Sequence, residues 1–191
     1  MSLFEDQPPR GVRSGADWEQ HRKHRPPHAG PAQDEVGQPA LVSVVLARST
    51  DVVVALRGIT AFSDGLLLHV VVLFADEQRR EELDWSLREY GRSPGRFRFG
   101  AAFPDGTQVA TGNGDAPPLE TTADAPVLIL QSSTAGSLRW EGDFWLWPLP
   151  TEGQLVVGCR WPDRGIAESL VTIDTAPLLA AAATCGPVWT S

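Results

Sequence analysis

From Leu41 onward, apolar residues recur at every second position in short runs; residues 1–39 scatter theirs among Pro, Gly, Gln and charge. A period of two puts successive side chains on opposite faces of a strand. The first such runs are 41–48 (LVSVVLAR), 52–62 (VVVALRGITAF) and 66–74 (LLLHVVVLF). Ser63-Asp64-Gly65 between the last two predicts a hairpin, because Asp-Gly suits a tight turn with positive φ. Both arms are apolar on both faces for part of their length, as in strands interior to a packed sheet. Residues 96–103 direct Phe97, Phe99, Ala101 and Phe103 inward and Arg96 and Arg98 to water. Pro104-Asp105-Gly106 turns the chain into a return strand at 107–111. Further strands are expected at 126–131 and 166–173, with SSTAG after the former as a turn.

The largest block of aromatic surface lies in residues 138–161, which hold Trp140, Trp145, Trp147 and Trp161. Alternation places Trp145, Trp147 and Leu149 opposite Phe144 and Leu146. In 154–161 it sets Leu155, Val157, Cys159 and Trp161 on one face. Pro148 and Pro150 end the first arm, since proline donates no ladder hydrogen bond. Gly153 supplies a turn position. The expectation is a hairpin with its arms paired across this turn, dominating the core.

Helical patterning is scarce. Residues 76–90 are charged, with Leu83, Leu87 and Tyr90 at helical spacing, and a short helix around 16–23 would carry Trp18. After Asp174 or Thr175, an early Pro177, an alanine-rich body and Gly186 specify a C-terminal helix. Residues 112–122 read as a loop. The sum is a mainly β protein: an antiparallel β-sandwich, immunoglobulin-like or jelly-roll-like, of eight or nine strands with one C-terminal helix. Residues 40–191 would form the domain and 1–39 a flexible arm; a closed barrel is the alternative.

Composition narrows function more by exclusion than by indication. Net charge is −8, from 24 acids against 16 bases, which argues against a nucleic-acid binder needing a basic stripe. The opening MSLFEDQPPRG lacks the apolar region of a secretory signal, and no window approaches a membrane span, so a cytoplasmic protein is expected. Cys159 and Cys185 have no metal-type spacing, and their pairing is left open. His21, His24 and His28 lack a completing thiol or acid, and Pro26-Pro27 breaks their register, so no metal site is assigned.

Motifs for hydrolase elbows, zincins, P-loops and dinucleotide folds are absent. His69, mid-strand among Leu68, Val70 and Val71, shows no orienting partner in the sequence and reads as a strand histidine with one hydrogen bond. Asp64, Asp105, Glu141, Asp143 and Asp163 fall at turns or strand edges, where solvation is the default. No catalytic residue and no cofactor is assigned. Aromatic display is what survives: Trp140, Trp145 and Trp147 are the candidate ligand- or partner-binding residues, against the plainer reading of the same rings as core.

The runs DFWLWPLP and GQLVVGCRWPDRGIAESLVTID, with TDVVVALRGITAFSDGLLLHVVV, resemble uncharacterised all-β proteins of high-GC, actinobacterial-type bacteria over about residues 41–174. The resemblance implies a β fold and carries no functional residue. The leading expectation is a non-enzymatic soluble interaction or assembly module, with a protein partner or self-association. A carbohydrate or small-ligand binder using a Trp-rich sheet face comes second, and an enzyme of unrecognised type third.

Overall fold

The computed structural model describes residues 26–76, 95–111 and 125–189. Its ten strands are β1 (Gln38–Ala40), β2 (Val44–Arg48), β3 (Val52–Ala61), β4 (Leu66–Phe74), β5 (Arg98–Ala102), β6 (Gln108–Ala110), β7 (Val127–Ala135), β8 (Arg139–Trp147), β9 (Gln154–Trp161) and β10 (Ile166–Asp174). One α-helix, α1 (Ala176–Ala182), follows. The strands form two antiparallel sheets. The larger runs β1-β3-β4-β8-β7 with β2 also on β3, and the smaller runs β10-β9-β5-β6. This is the β-sandwich the periodicity demands.

One core lies between the sheets. Val54, Leu56, Leu68, Val70, Trp140, Phe144 and Leu146 of the large sheet meet Phe97, Phe99, Leu155, Val157 and Trp161 of the small one. Phe99 and Phe144 pack with ring centroids 4.9 Å apart, and Phe97 and Phe74 both set their rings edgewise to Trp161.

The expected 138–161 hairpin does not form. β8 pairs with β4 and β7, whereas β9 pairs with β5 and β10, so residues 148–153 carry the chain from one sheet to the other. The face that meets β9 across the core is therefore Trp140, Phe144 and Leu146, and Trp145 and Trp147 point outward. Each arm finds two ladder neighbours without pairing with the other. Gly153, at φ 136°, does supply the turn conformation expected of it.

Smaller differences have local causes. Residues 41–48 are not one strand: β1 and β2 both lie against β3, and β1 starts inside the expected arm. Residues 26–40 belong to the folded body, because a 3-10 turn at Pro27–Ala29 covers the outer face of β8. SSTA of SSTAG is strand, not turn, since β7 runs to Ala135. The C-terminal helix stops at Ala182, and the Thr175 hydroxyl bonds Gly153 rather than capping it. The expected helices at 16–23 and 76–90 (Asp76 excepted) and the loop at 112–122 (Thr111 being its described neighbour) lie outside the described residues.

Candidate functional site

Two surfaces concentrate chemistry, one on the outer face of each sheet. On the large sheet a polar row crosses four strands. Thr60 of β3, His69 of β4, Asp143 of β8 and Ser132 of β7 form a chain of hydrogen bonds. His69 Nδ1 lies 2.7 Å from Asp143 Oδ1, its Nε2 lies 2.8 Å from the Thr60 hydroxyl, and the Ser132 hydroxyl donates to Asp143 Oδ2 at 2.7 Å. The carboxylate can only accept, so Nδ1 carries a proton; Nε2 accepts from the Thr60 hydroxyl when the ring is neutral and donates to it when the ring is charged.

Two β-bulges aim this row. The β3–β4 register slips between Leu56 and Gly58, and the β7–β8 register slips between Leu130 and Ser132. Each slip flips the facing of the residues beyond it, so Thr60 and Ser132 reach the outer face instead of the core. The bulged residues are engaged as well: Arg57 pairs with Glu141 at 3.3 Å, and the Gln131 amide donates to Ala29 O at 3.0 Å. Burial opposes the charge on Asp143, but the hydrogen bonds from His69 and Ser132 and the positive charge of His69 and Arg57 outweigh it and hold the carboxyl below its ordinary range.

Hydroxyl, imidazole and carboxylate here stand in the order of a nucleophile, its base and an orienting acid. β4 and β8 are paired on both sides, so their amides are committed to ladders and not to an oxyanion. The Thr60 methyl lies directly under Gly37, where a Cβ would come within 2.4 Å of it. The row ties four strands together in register. Sequence reasoning missed Asp143 as the partner of His69, because β4 and β8 are distant in the chain.

The predicted binding tryptophans separate. Trp140 faces the inter-sheet core and Trp145 lies under the 26–30 turn, both at 0% exposure. Trp147, half-buried beside Trp145, meets the His28 ring edgewise at 6.2 Å between centroids. Neither Trp140 nor Trp145 presents a face to solvent.

Among the described residues, no element covers the outer face of the small sheet. Ala110, Gly100, Gly158 and Leu170 stand in cross-strand register from β6 to β10, with Ala102 and Val156 in the next row. With no Cβ on two of the four central positions, the sheet floor sinks into a trough of about 430 Å³. Leu170 leans over Gly158, where an added Cβ would approach its Cδ2 to 2.5 Å. Arg98 and Arg160 face each other across β5 and β9 at the rim, with Glu168 nearby.

Compared with known proteins, the chain matches no family model, no curated protein and no solved structure. Among the described residues, no helix is long and apolar enough to cross a membrane, and no three His, Cys, Asp or Glu side chains converge as a metal set.

Proposed function

We propose that this protein is a non-enzymatic binding module whose ligand lies in the small-sheet trough. The observation that carries the reading is the joint placement of a Gly/Ala floor and two arginines at its rim. A floor without side chains lets an apolar body approach the backbone closely, and guanidinium groups fork onto carboxylate or phosphate. The ligand class is a small molecule with an apolar body and one anionic end. A cytoplasmic setting goes with this proposal, supported by two free thiols in a folded domain. The carbohydrate platform has no comparable support, since Trp140 and Trp145 are enclosed.

The test uses anilinonaphthalene sulfonate, an apolar anion whose fluorescence rises on burial. Saturable one-to-one binding is expected to weaken at least tenfold in Arg160→Glu and to vanish in Ala102→Phe, which fills the floor. Equal binding by the wild-type protein and both folded variants would sink the trough as the site.

A further inference from the structure

The large sheet carries a second surface, independent of the trough. At the end of β8, Trp145, Trp147 and Phe62 form an aromatic shelf, with Phe62 edgewise to Trp145 at 5.7 Å between centroids. The shelf is occupied by the chain's own Pro26-Pro27-His28-Ala29-Gly30. Pro26 is in the polyproline conformation (φ −64°, ψ 144°) and leads into a single 3-10 turn. Two side-chain donors read this segment by its backbone. The Trp145 indole N–H donates to Pro27 O at 2.9 Å, and the Gln131 amide donates to Ala29 O at 3.0 Å. Those carbonyls are two residues apart, so recognition depends on backbone spacing rather than on side-chain identity.

Proline suits such a seat for a physical reason. The sheet beneath has its own amides and carbonyls in ladders, and a segment lying flat on it gains nothing by bringing N–H groups that find no acceptor. Pro26 and Pro27 bring none. An indole N–H on a proline carbonyl, among aromatic rings, is the general chemistry by which aromatic grooves hold proline-rich peptides. The resident segment is also imperfectly matched: His28 is buried with Nε2 lacking any hydrogen-bond partner. A competitor without that imidazole avoids this desolvation cost.

We infer that the Trp145–Trp147 shelf is a docking site for a proline-rich segment of a partner protein, with residues 26–30 acting as a built-in competitor. The partner segment offers two carbonyls at i and i+2, a proline pair ending at i and a small side chain in place of His28.

The experiment uses the full chain and a fluorescein-labelled peptide RPPAAGP, followed by anisotropy. Pro27→Gly loosens the resident turn by freeing its backbone and adding an N–H, and leaves every shelf residue unchanged; it is expected to bind the peptide at least tenfold more tightly than the wild-type protein. Adding Trp145→Phe, which keeps an aromatic ring but removes the indole N–H, is expected to cost at least tenfold of that gain. Should the double variant fail to fold, Gln131→Leu replaces it, removing the second donor from the sheet surface. Binding equal to that of a scrambled peptide, in protein folded by near-ultraviolet circular dichroism, would overturn the inference. So would concentration-dependent dimers of Pro27→Gly, which would make the occupant a second copy of this chain.

Discussion

Asp64 sits at the tip of the β3–β4 hairpin with Oδ1 buried and without a hydrogen-bond partner. Desolvation, and then the nearby Glu35 carboxylate, raise its pKa above the ordinary value. A raised folded-state pKa means that ionising Asp64 costs stability: the contribution is fully present below the unfolded value of about 3.9 and is lost as pH rises through the folded one. Asp64→Asn should therefore raise the urea midpoint at pH 7, and the gain should close toward pH 4; a lower midpoint at pH 7 would refute the assignment. Asp143 behaves oppositely. Its lowered pKa contributes stability above the unfolded value, lost as pH falls through the folded one. Asp143→Asn keeps one acceptor but turns an NH2 toward a donor, so a loss of about 1–2 kcal/mol is expected at pH 7, shrinking on acidification. Urea titrations of both variants across pH 3–7 should give trends of opposite sign.

At the scale of elements, the alternation in the sequence marks eight of the strands closely, but not the phase slips within them. Val52, Val54 and Leu56 face the core, but so do Ile59 and Ala61, three residues further along rather than two. That jump across Arg57-Gly58 is the bulge, and it is visible in VVVALRGITA once two inward phases are allowed. In β7, Ser132 and Thr134 fall on the parity of the inward Leu128 and Leu130, a pattern that imitates a turn; the bulge at Gln131 directs them outward instead. Pairing between distant strands leaves no such trace. The His69–Asp143 bond follows from β4 lying beside β8, and the trough from β5 lying beside β9, and neither adjacency is a hairpin. The aromatic weight of β8 is legible in its sequence, although which of its faces meets the core is not. Gly142 tests that packing, because the Trp140 ring lies across it and an added Cβ would sit 2.1 Å from the ring. Gly142→Ala forces the ring out of a closed core and should cost about 1–3 kcal/mol. An unchanged urea midpoint would show that Trp140 can move aside freely.

The whole molecule behaves as one unit if its two sheets share a single core, and two thiols report on this. Cys159 faces that core from β9, beside Phe99 of β5, and burial pushes its thiol up to about 12. Cys185 lies past α1, partly exposed, with its Sγ–H directed at Ala61 O. Only thiolate reacts with an aromatic disulfide reagent, so exposure and ionisation both protect Cys159 relative to Cys185. The sheets are also joined beyond the core: the Arg164 guanidinium reaches Asp51, and the Ser169 hydroxyl donates to Leu46 O, tying β10 to β2. Opening the small sheet alone would break these ties and strip cover from Trp140, Phe144 and Leu146. The expected outcome is one reactive thiol in folded protein at pH 8. The second should label at a rate whose urea dependence equals that of global unfolding followed by tryptophan fluorescence. A Cys159 rate with shallow urea dependence would mean that the small sheet opens by itself. The sandwich would then be two layers of separate stability, and the trough would belong to the weaker one.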